Sequence, residues 1–296
     1  MDHLKPELHY LLSGTDEERK KYIRENRWIG YPRAKYIIDK LDELVEHPIT
    51  HRMPNILLIG ETNNGKTIIV DRFQKKHTAV LNEEKGGLQI PVLLIQAPAI
   101  PDERRFYNNI LDRLFVPYRI NDRVDKKLFQ VIQVLKHVQL KVLIIDEIHH
   151  ILAGSMSKQR AFLNVIKYLA NELRISIVGV GTREAMNAIQ TDPQLANRFE
   201  PLHLPTWQMN EEYLRLLASF EQTTPLKKPS NLATTELSGL ILSMSEGVIG
   251  EVSRIIKKAS EKAITTGEER ITKQLLNKLD WQAPSERRIL SNKLAG

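Results

Sequence analysis

Residues 60–67 read GETNNGKT, directly after the apolar run Ile56 to Ile59 and directly before Ile68, Ile69 and Val70. Gly60, Gly65, Lys66 and Thr67 satisfy G-x4-G-K-[ST], a spacing that constrains the fold because it works only between a strand and the first turn of a helix. Glycine lets successive backbone N–H groups curl around an anion, and the helix start adds partial positive charge. Lys66 reaches terminal phosphates, and the Thr67 hydroxyl joins a Mg²⁺ shell. The expected nucleotide-contacting stretch is Gly60, Glu61, Thr62, Asn63, Asn64, Gly65, Lys66, Thr67 and Ile68, with ATP and Mg²⁺ as ligands and Thr67 touching the metal. Glu61, an acid inside the loop, must point away from the phosphates to avoid like-charge repulsion.

Around this loop the chain alternates. Ile56 to Ile59, Val92 to Gln96, Val142 to Ile145 and Ile175 to Val180 read as strands, separated by helices at 65–77, Asp102 to Phe115, Lys127 to His137 and Lys158 to Leu173. Short continuous apolar strands between helices indicate a parallel sheet covered on both faces. Upstream, Thr15 with Glu18 has capping-box spacing and starts a helix to about Asn26, and Pro32 opens another that ends at His47-Pro48. After Pro205 the strands stop and four helices follow, at Glu211 to Glu221, Thr235 to Ser245, Glu251 to Thr265 and Thr272 to Leu279. Thr223 to Asn231 is expected as an exposed loop and the residues from Pro284 onward as a mobile tail. The expected organisation is an N-terminal helical extension (1–27), an α/β nucleotide-binding domain (28–205), a helical domain (206–281) and a basic tail (282–296).

The chain contains no cysteine, which removes disulfides, thiolate zinc sites and cysteine nucleophiles together. No stretch approaches the roughly 18 apolar residues of a membrane span, and the start lacks the basic-then-apolar layout of a signal, so a cytoplasmic protein without a membrane partner is expected. The net charge of +7 is uneven: residues 51–140 hold 14 basic and 9 acidic residues, a net of +5. Such an excess permits contact with phosphate backbones, and it equally fits a solvated face.

KVLIIDEIHH supplies the second half of the site. An apolar strand ending in Asp146-Glu147 delivers one carboxylate to the metal's water shell and a second that polarises an attacking water. His149 and His150 follow without any established metal-ligand spacing and read as polar-network histidines. D-E-I-H also matches a helicase box, but that reading requires a second strand-containing domain, and one more strand followed by helices does not supply it.

These residues resemble the AAA+ ATPases over nearly the whole chain. RWIGYPRAKYIIDKL is similar to the segment that lines the adenine pocket, which implicates Ile29, Tyr31 and Pro32. IVGVGT resembles the strand ending in a polar sensor, here Thr182, and ANRFEPLHLP the box with the arginine finger, here Arg198, which in the family reaches a neighbouring subunit's γ-phosphate. GVIGEVSRII resembles the lid sensor with Arg254 as candidate, although Gly250 to Arg254 is one residue longer than the family's Gly-x-x-Arg. The resemblance implies an α/β fold, a P-loop core with a parallel sheet covered by helices, followed by a small all-helical lid domain. It also implies an ATPase in which Asp146 holds the metal, Glu147 positions water and Arg198 acts in trans.

Within that class, GETNNGKT, DEIHHILAGS, GVGTREAMNAIQTDPQLANRFEPLHLPTW and PLKKPSNLA together resemble the TniB/TnsC group of transposition regulators, and QTDPQLANRF is the most specific stretch. The resemblance implies ATP-bound filaments or rings on double-stranded DNA, linking a target-selection protein of the TniQ type to a DDE-type transposase. It also directs attention to the basic insert between the second and third strands, where Arg119, Arg123, Lys126 and Lys127 are the candidate DNA contacts. No zinc finger or other sequence-reading motif is present, so recognition is expected to be largely independent of sequence. Two alternatives keep the fold and change the client: a helicase loader or replication initiator, and a nucleotide-switched signalling module without DNA.

Overall fold

The computed structural model describes residues 3–82, 87–190 and 196–295. In chain order the elements are α1 (Asp16–Arg24), α2 (Pro32–Glu46), β1 (Asn55–Gly60), α3 (Lys66–Lys76), β2 (Val80–Asn82), β3 (Gly87–Gln89), β4 (Val92–Gln96), α4 (Glu103–Arg113) and α5 (Val124–His137). They continue with β5 (Val142–Asp146), α6 (Met156–Leu173), β6 (Ser176–Gly181), α7 (Arg183–Gln190), β7 (Phe199–Leu204), α8 (Glu211–Gln222), α9 (Thr235–Ser245), α10 (Ile249–Thr265), α11 (Lys273–Asn277) and α12 (Pro284–Ala295). By internal contacts the chain forms two compact units. An α/β unit holds Arg33–Thr62 and Lys66–Leu204, and a helical unit holds Met1–Pro32, Asn63–Gly65 and Pro205–Gly296.

In the α/β unit the strands lie in the order β4-β5-β6-β1-β7, and each neighbouring pair is parallel. Every residue of β1, β5 and β6 is buried, as strands covered on both faces require. Leu57, Leu143, Ile177, Phe106 and Phe162 belong to one continuous core beneath these strands. The expected sheet lacked β7, whose sequence FEPLHL carries a proline and alternates between buried and exposed positions. An edge strand tolerates both features, because one side of its backbone needs no partner and one face meets solvent. The separate antiparallel pair of β2 and β3, and helix α7, were likewise not expected from the sequence.

Register decides what the sheet presents. Gln96 pairs with Asp146, Ile59 with Gly181 and Gly60 with Leu204, so the carboxyl ends of all five strands share one edge. Asn55 pairs with Phe199, which puts Arg198 at the opposite, amino edge.

The helical unit packs Tyr213, Leu217, Ile241, Val252, Ile255 and Ile256 into its own core. The capping box of α1 forms as expected, Thr15 N–H donating to Glu18 Oε2 at 2.8 Å and Glu18 N–H to Thr15 Oγ1 at 3.3 Å. Arg19 on α1 is fully buried and donates to both carboxylate oxygens of Glu269 at 2.7 Å, which ties the first helix to the far end of this unit's sequence. One expectation holds only in part here and another fails. In the loop Thr223 to Asn231 the residues Lys227, Lys228, Pro229 and Asn231 are exposed, but Pro225 and Leu226 are buried, and the Glu221 carboxylate accepts the N–H groups of Ser230, Asn231 and Leu232. The residues after Pro284 form helix α12 rather than a mobile tail, with Ser285 N–H donating to Glu246 at 3.1 Å. Among the described residues no helix is long and apolar enough to cross a membrane.

Candidate nucleotide site

The buried strand β1 ends at Gly60, and the chain turns through Asn63 (φ 60°) and Gly65 (φ 87°) into α3. At a φ of 87° a side chain would be strained, so the second glycine of the motif is there for its backbone. Lys66 is 7% exposed, and its Nζ donates to the carbonyls of Gly60 at 2.8 Å and Glu61 at 2.7 Å, which holds the cation in the mouth of its own loop. Burial pushes the Lys66 ammonium below its ordinary pKa, against the attraction of Glu147, Asp146 and Glu61. The Glu61 and Ile68 side chains face solvent, as does Thr62.

Asp146 ends β5 and bridges two partners. Its Oδ2 accepts the Thr67 hydroxyl at 2.7 Å and its Oδ1 accepts the Glu147 N–H at 2.8 Å. Glu147 adopts the left-handed conformation (φ 54°, ψ 36°) and starts a 3-10 helix over Ile148–Ala153. A cavity of about 660 Å³ opens here, lined by Thr67, Gln96, Asn109, Arg113, Asp146 and Glu147 among others. Asn109 and Arg113 were missed by sequence reasoning as members of this site. Their four-residue spacing on α4 was the available signal, since it sets both on one helix face. Thr182 follows β6 at the same sheet edge, where its hydroxyl donates to Glu184.

Arg198 lies elsewhere. It precedes β7 at the amino edge, with Nη1 donating to Asn171 Oδ1 at 2.8 Å. It shares a cavity of about 730 Å³ with Lys40, His47, Arg52, Glu43 and Glu200. Five residue steps of β1 separate this edge from Gly60, roughly 16 Å along the strand. Of the stretch QTDPQLANRF, residues 191–195 lie outside the described residues.

The remaining candidates belong to the helical unit. Ile29 is half-buried against its core, and Tyr31 meets Trp207 edge-on at 5.0 Å. Burial pushes the Tyr31 hydroxyl up to about 12, and Pro32 is exposed at the start of α2. Arg254 stands 3.9 Å from Glu251 and 5.8 Å from the Trp281 ring. Asn63 and Asn64 are tied into this unit: the Asn63 carbonyl accepts Gly250 N–H at 3.1 Å, its amide donates to Glu251 at 3.0 Å, and Asn64 donates to Pro205 O at 3.0 Å. A Cβ on Gly250 would fall 2.2 Å from the Asn63 side chain, so this glycine serves close approach.

The candidate DNA contacts divide. Arg119 is exposed, Arg123 has a side chain 89% exposed, and Lys126 pairs with Asp122 at 3.0 Å while remaining exposed. Lys127 must be withdrawn from the set. It is fully buried, with Nζ donating to Asn108 at 2.6 Å and lying 4.5 Å from the centre of the Tyr118 ring.

A phosphate-loop motif after the interior strand of a parallel sheet, with a carboxylate pair at the end of β5, defines the P-loop fold of AAA+ type. Solved structures share it. The chain is similar to the Aeropyrum pernix ORC2 protein in ADPNP-ADP complexes, with 19% identity and a TM-score of 0.63, over 87% of this chain and 70% of that one. It is similar to Cdc6p from Pyrobaculum aerophilum, with 14% identity and a TM-score of 0.59 over 85% and 68%. It is also similar to the Aeropyrum pernix ORC1 protein in complex with DNA, with 15% identity and a TM-score of 0.59 over 92% and 69%. No curated protein matches the chain. The model of the bacterial TniB protein family matches residues 19–209, and the chain belongs to that family.

Proposed function

We propose that this chain is an ATP-dependent, largely sequence-independent DNA-binding regulator of transposition, which oligomerises on target DNA and links a TniQ-type target selector to a DDE-type transposase. The observation that carries this reading is the placement of Arg198 on the sheet edge opposite the phosphate loop, where it suits a neighbour's nucleotide better than its own. Nucleotide occupancy and assembly are then energetically linked. Lys66 and the N–H groups of 60–68 hold the triphosphate, Ile29, Tyr31 and Pro32 take the adenine, Thr182 senses the bound phosphates and Arg254 is the lid sensor. Glu147 orients the attacking water.

The Thr67 hydroxyl and the Asp146 carboxylate, 2.7 Å apart, make an all-oxygen donor pair that fits Mg²⁺. Mg²⁺ supplies neutralisation of phosphate charge when bound. Residues 28–205 serve as the ATPase core and 206–281 as the lid, while 1–27 and the basic segment 282–296 are the surfaces offered to the transposase. A bacterial protein with DNA and ATP as its clients works in the cytoplasm. The likeness to ORC and Cdc6 proteins at 14–19% identity is one of fold, so the TniB family match favours transposition over replication initiation.

Electrophoretic mobility of duplex DNA, with and without a slowly hydrolysed ATP analogue, tests the reading. The wild type should retard DNA only with nucleotide, Lys66→Ala should fail to assemble, and Glu147→Gln should give long-lived complexes with ATP itself. Loss of two charge-assisted contacts should weaken ATP binding to Lys66→Ala by about a hundredfold. Nucleotide-independent filaments from Lys66→Ala, or a lone wild-type particle in ATP, Mg²⁺ and DNA, would refute it.

A further inference from the structure

Three side chains beyond the end of β5 converge although their spacing matches no metal motif. Glu147, His149 and His150, all half-buried, each bring one ligand atom to within 4.8 Å of the others. The backbone explains the convergence. The left-handed turn at Glu147 leads straight into the 3-10 helix, and His150 N–H donates to Glu147 O at 2.9 Å, which closes the chain back on the Glu147 backbone.

Glu147 Oε2 and His149 Nε2 are 3.2 Å apart. Two ligands of a tetrahedral zinc ion, each bonded at about 2.0–2.1 Å, lie about 3.3 Å from one another. The two imidazoles meet edge to face with centroids 5.0 Å apart. His150 Nδ1 faces the Ala97 carbonyl at 3.5 Å, the kind of backbone partner that orients a ring and turns its other nitrogen outward to a metal. The other nitrogen of the His149 ring, Nδ1, is buried and has no hydrogen-bond partner among the described residues, so in polar contacts the ring is held only through Nε2, the atom that faces Glu147.

We propose that Glu147, His149 and His150 form a site for a divalent transition-metal cation of the zinc class, and that occupancy withdraws the Glu147 carboxylate from ATP hydrolysis. Two imidazoles and one carboxylate select zinc-like ions, whereas Mg²⁺ takes oxygen donors, so the two cations have separate addresses on this edge. Three protein ligands leave the fourth position to water. The inhibitory half rests on the reading of Glu147 given under Proposed function; the binding half does not.

The test uses the full chain, stripped of metal by a chelator, with thermal melting to verify that each variant is folded. Co²⁺ is the probe, and the wild type should develop the intense visible absorption of four-coordinate Co²⁺ at one equivalent, displaced by Zn²⁺ and not by Mg²⁺. His149→Ala and His150→Ala should each weaken Co²⁺ binding by at least roughly tenfold, the scale seen even for outer-shell partners. In saturating Mg²⁺, low Zn²⁺ should slow hydrolysis by the wild type, and the ratio of rates with and without Zn²⁺ should return toward one in both variants. No such band in the wild type, or an equal band in the double variant, would overturn the site. Co²⁺ binding with hydrolysis indifferent to Zn²⁺ would overturn the inhibitory half. A wild type that hydrolyses no ATP would instead remove the Proposed function, while the Co²⁺ titration still decides the site.

Discussion

The two edges of the central sheet carry different groups of charged side chains. At the carboxyl edge, Lys66 is held by the Gly60 and Glu61 carbonyls, and the Asp146 carboxylate fastens Thr67 to Glu147. At the amino edge, Arg198 shares a wide cavity with Lys40, Arg52 and Glu200, and is held by Asn171. The first edge gathers acceptors and donors suited to a bound phosphate and its metal. The second sets half-buried Arg198 and Lys40 and exposed Arg52 beside Glu43 and Glu200. The six-residue length of β1 keeps the two apart, so under the proposed trans role of Arg198 a subunit would complete its site through a neighbour, and assembly would become part of the reaction.

Exchange between the edges gives the largest expected effect. Arg198→Ala should lower ATP turnover in DNA-bound assemblies by about 10³-fold or more, the size of an arginine-finger contribution, while ATP binding by the separated chain is kept. Mixing Arg198→Ala with Glu147→Gln, which still assembles, should then restore part of the turnover, because an intact loop and Glu147 from one variant can face an intact arginine from the other. In random assemblies about a quarter of head-to-tail interfaces are so composed. The measurement is phosphate release from the mixture against either variant alone. A mixture as inactive as its components would put the arginine and the loop of one chain back into a single site.

What was legible in the sequence follows the same division. GETNNGKT and the strand ending in DE were readable because their spacing is covalent: the glycines, Lys66, Thr67 and Asp146 do their work within a few residues of a strand end. β7 was not readable, since FEPLHL interrupts its apolar pattern with Pro201 and exposes Glu200 and His203. Its strand geometry comes from pairing with β1, a long-range fact. The convergence of His149 and His150 on Glu147 depends on one left-handed residue that no motif announces. Leu226 is buried in the core of the helical unit, and Glu221 captures three N–H groups farther along, in a segment that composition marked as solvent. Local chemistry was visible, and whatever needed a distant partner was not.

A substitution in the helical unit serves as the control for both edges. Arg19 is buried and doubly bonded to Glu269. Burial alone would raise the Glu269 carboxyl, but the hydrogen bonds from Arg19 and the Lys227 N–H, with their charges, hold it below its ordinary value. Glu269→Gln should destabilise the fold by about 3 kcal/mol, because it removes the buried one of the guanidinium's two counter-charges and leaves only the exposed Asp16 carboxylate at 2.7 Å. Turnover per folded molecule should stay as it was. The pH dependence has a definite sign: a carboxyl depressed in the folded state stabilises above its unfolded pKa of about 4.3, and the contribution fades as pH falls through the lower folded value. Urea midpoints at neutral and acid pH would therefore converge between wild type and Glu269→Gln at the acid end. A difference that persists or widens there would remove the charge from the explanation.

The smallest effect belongs to the insert between β4 and β5, where presenting a cation and burying one differ by a single helix position. Arg119 and Arg123 are exposed, while Lys127, the residue after exposed Lys126, is turned inward onto Asn108 and Tyr118. If the exposed arginines touch phosphates, Arg119→Ala and Arg123→Ala should each reduce the slope of log affinity against log salt by about one, with only a few-fold loss at low salt and no change in sequence preference. Lys127→Met should leave that slope alone and lower the melting temperature instead, since its ammonium makes an internal hydrogen bond and meets no solvent. Filter binding of duplex DNA across a salt series reads all three. A slope changed by Lys127→Met and untouched by the two arginines would mean that charge on this insert acts through its folding, and the search for the DNA face would move to another surface of the chain.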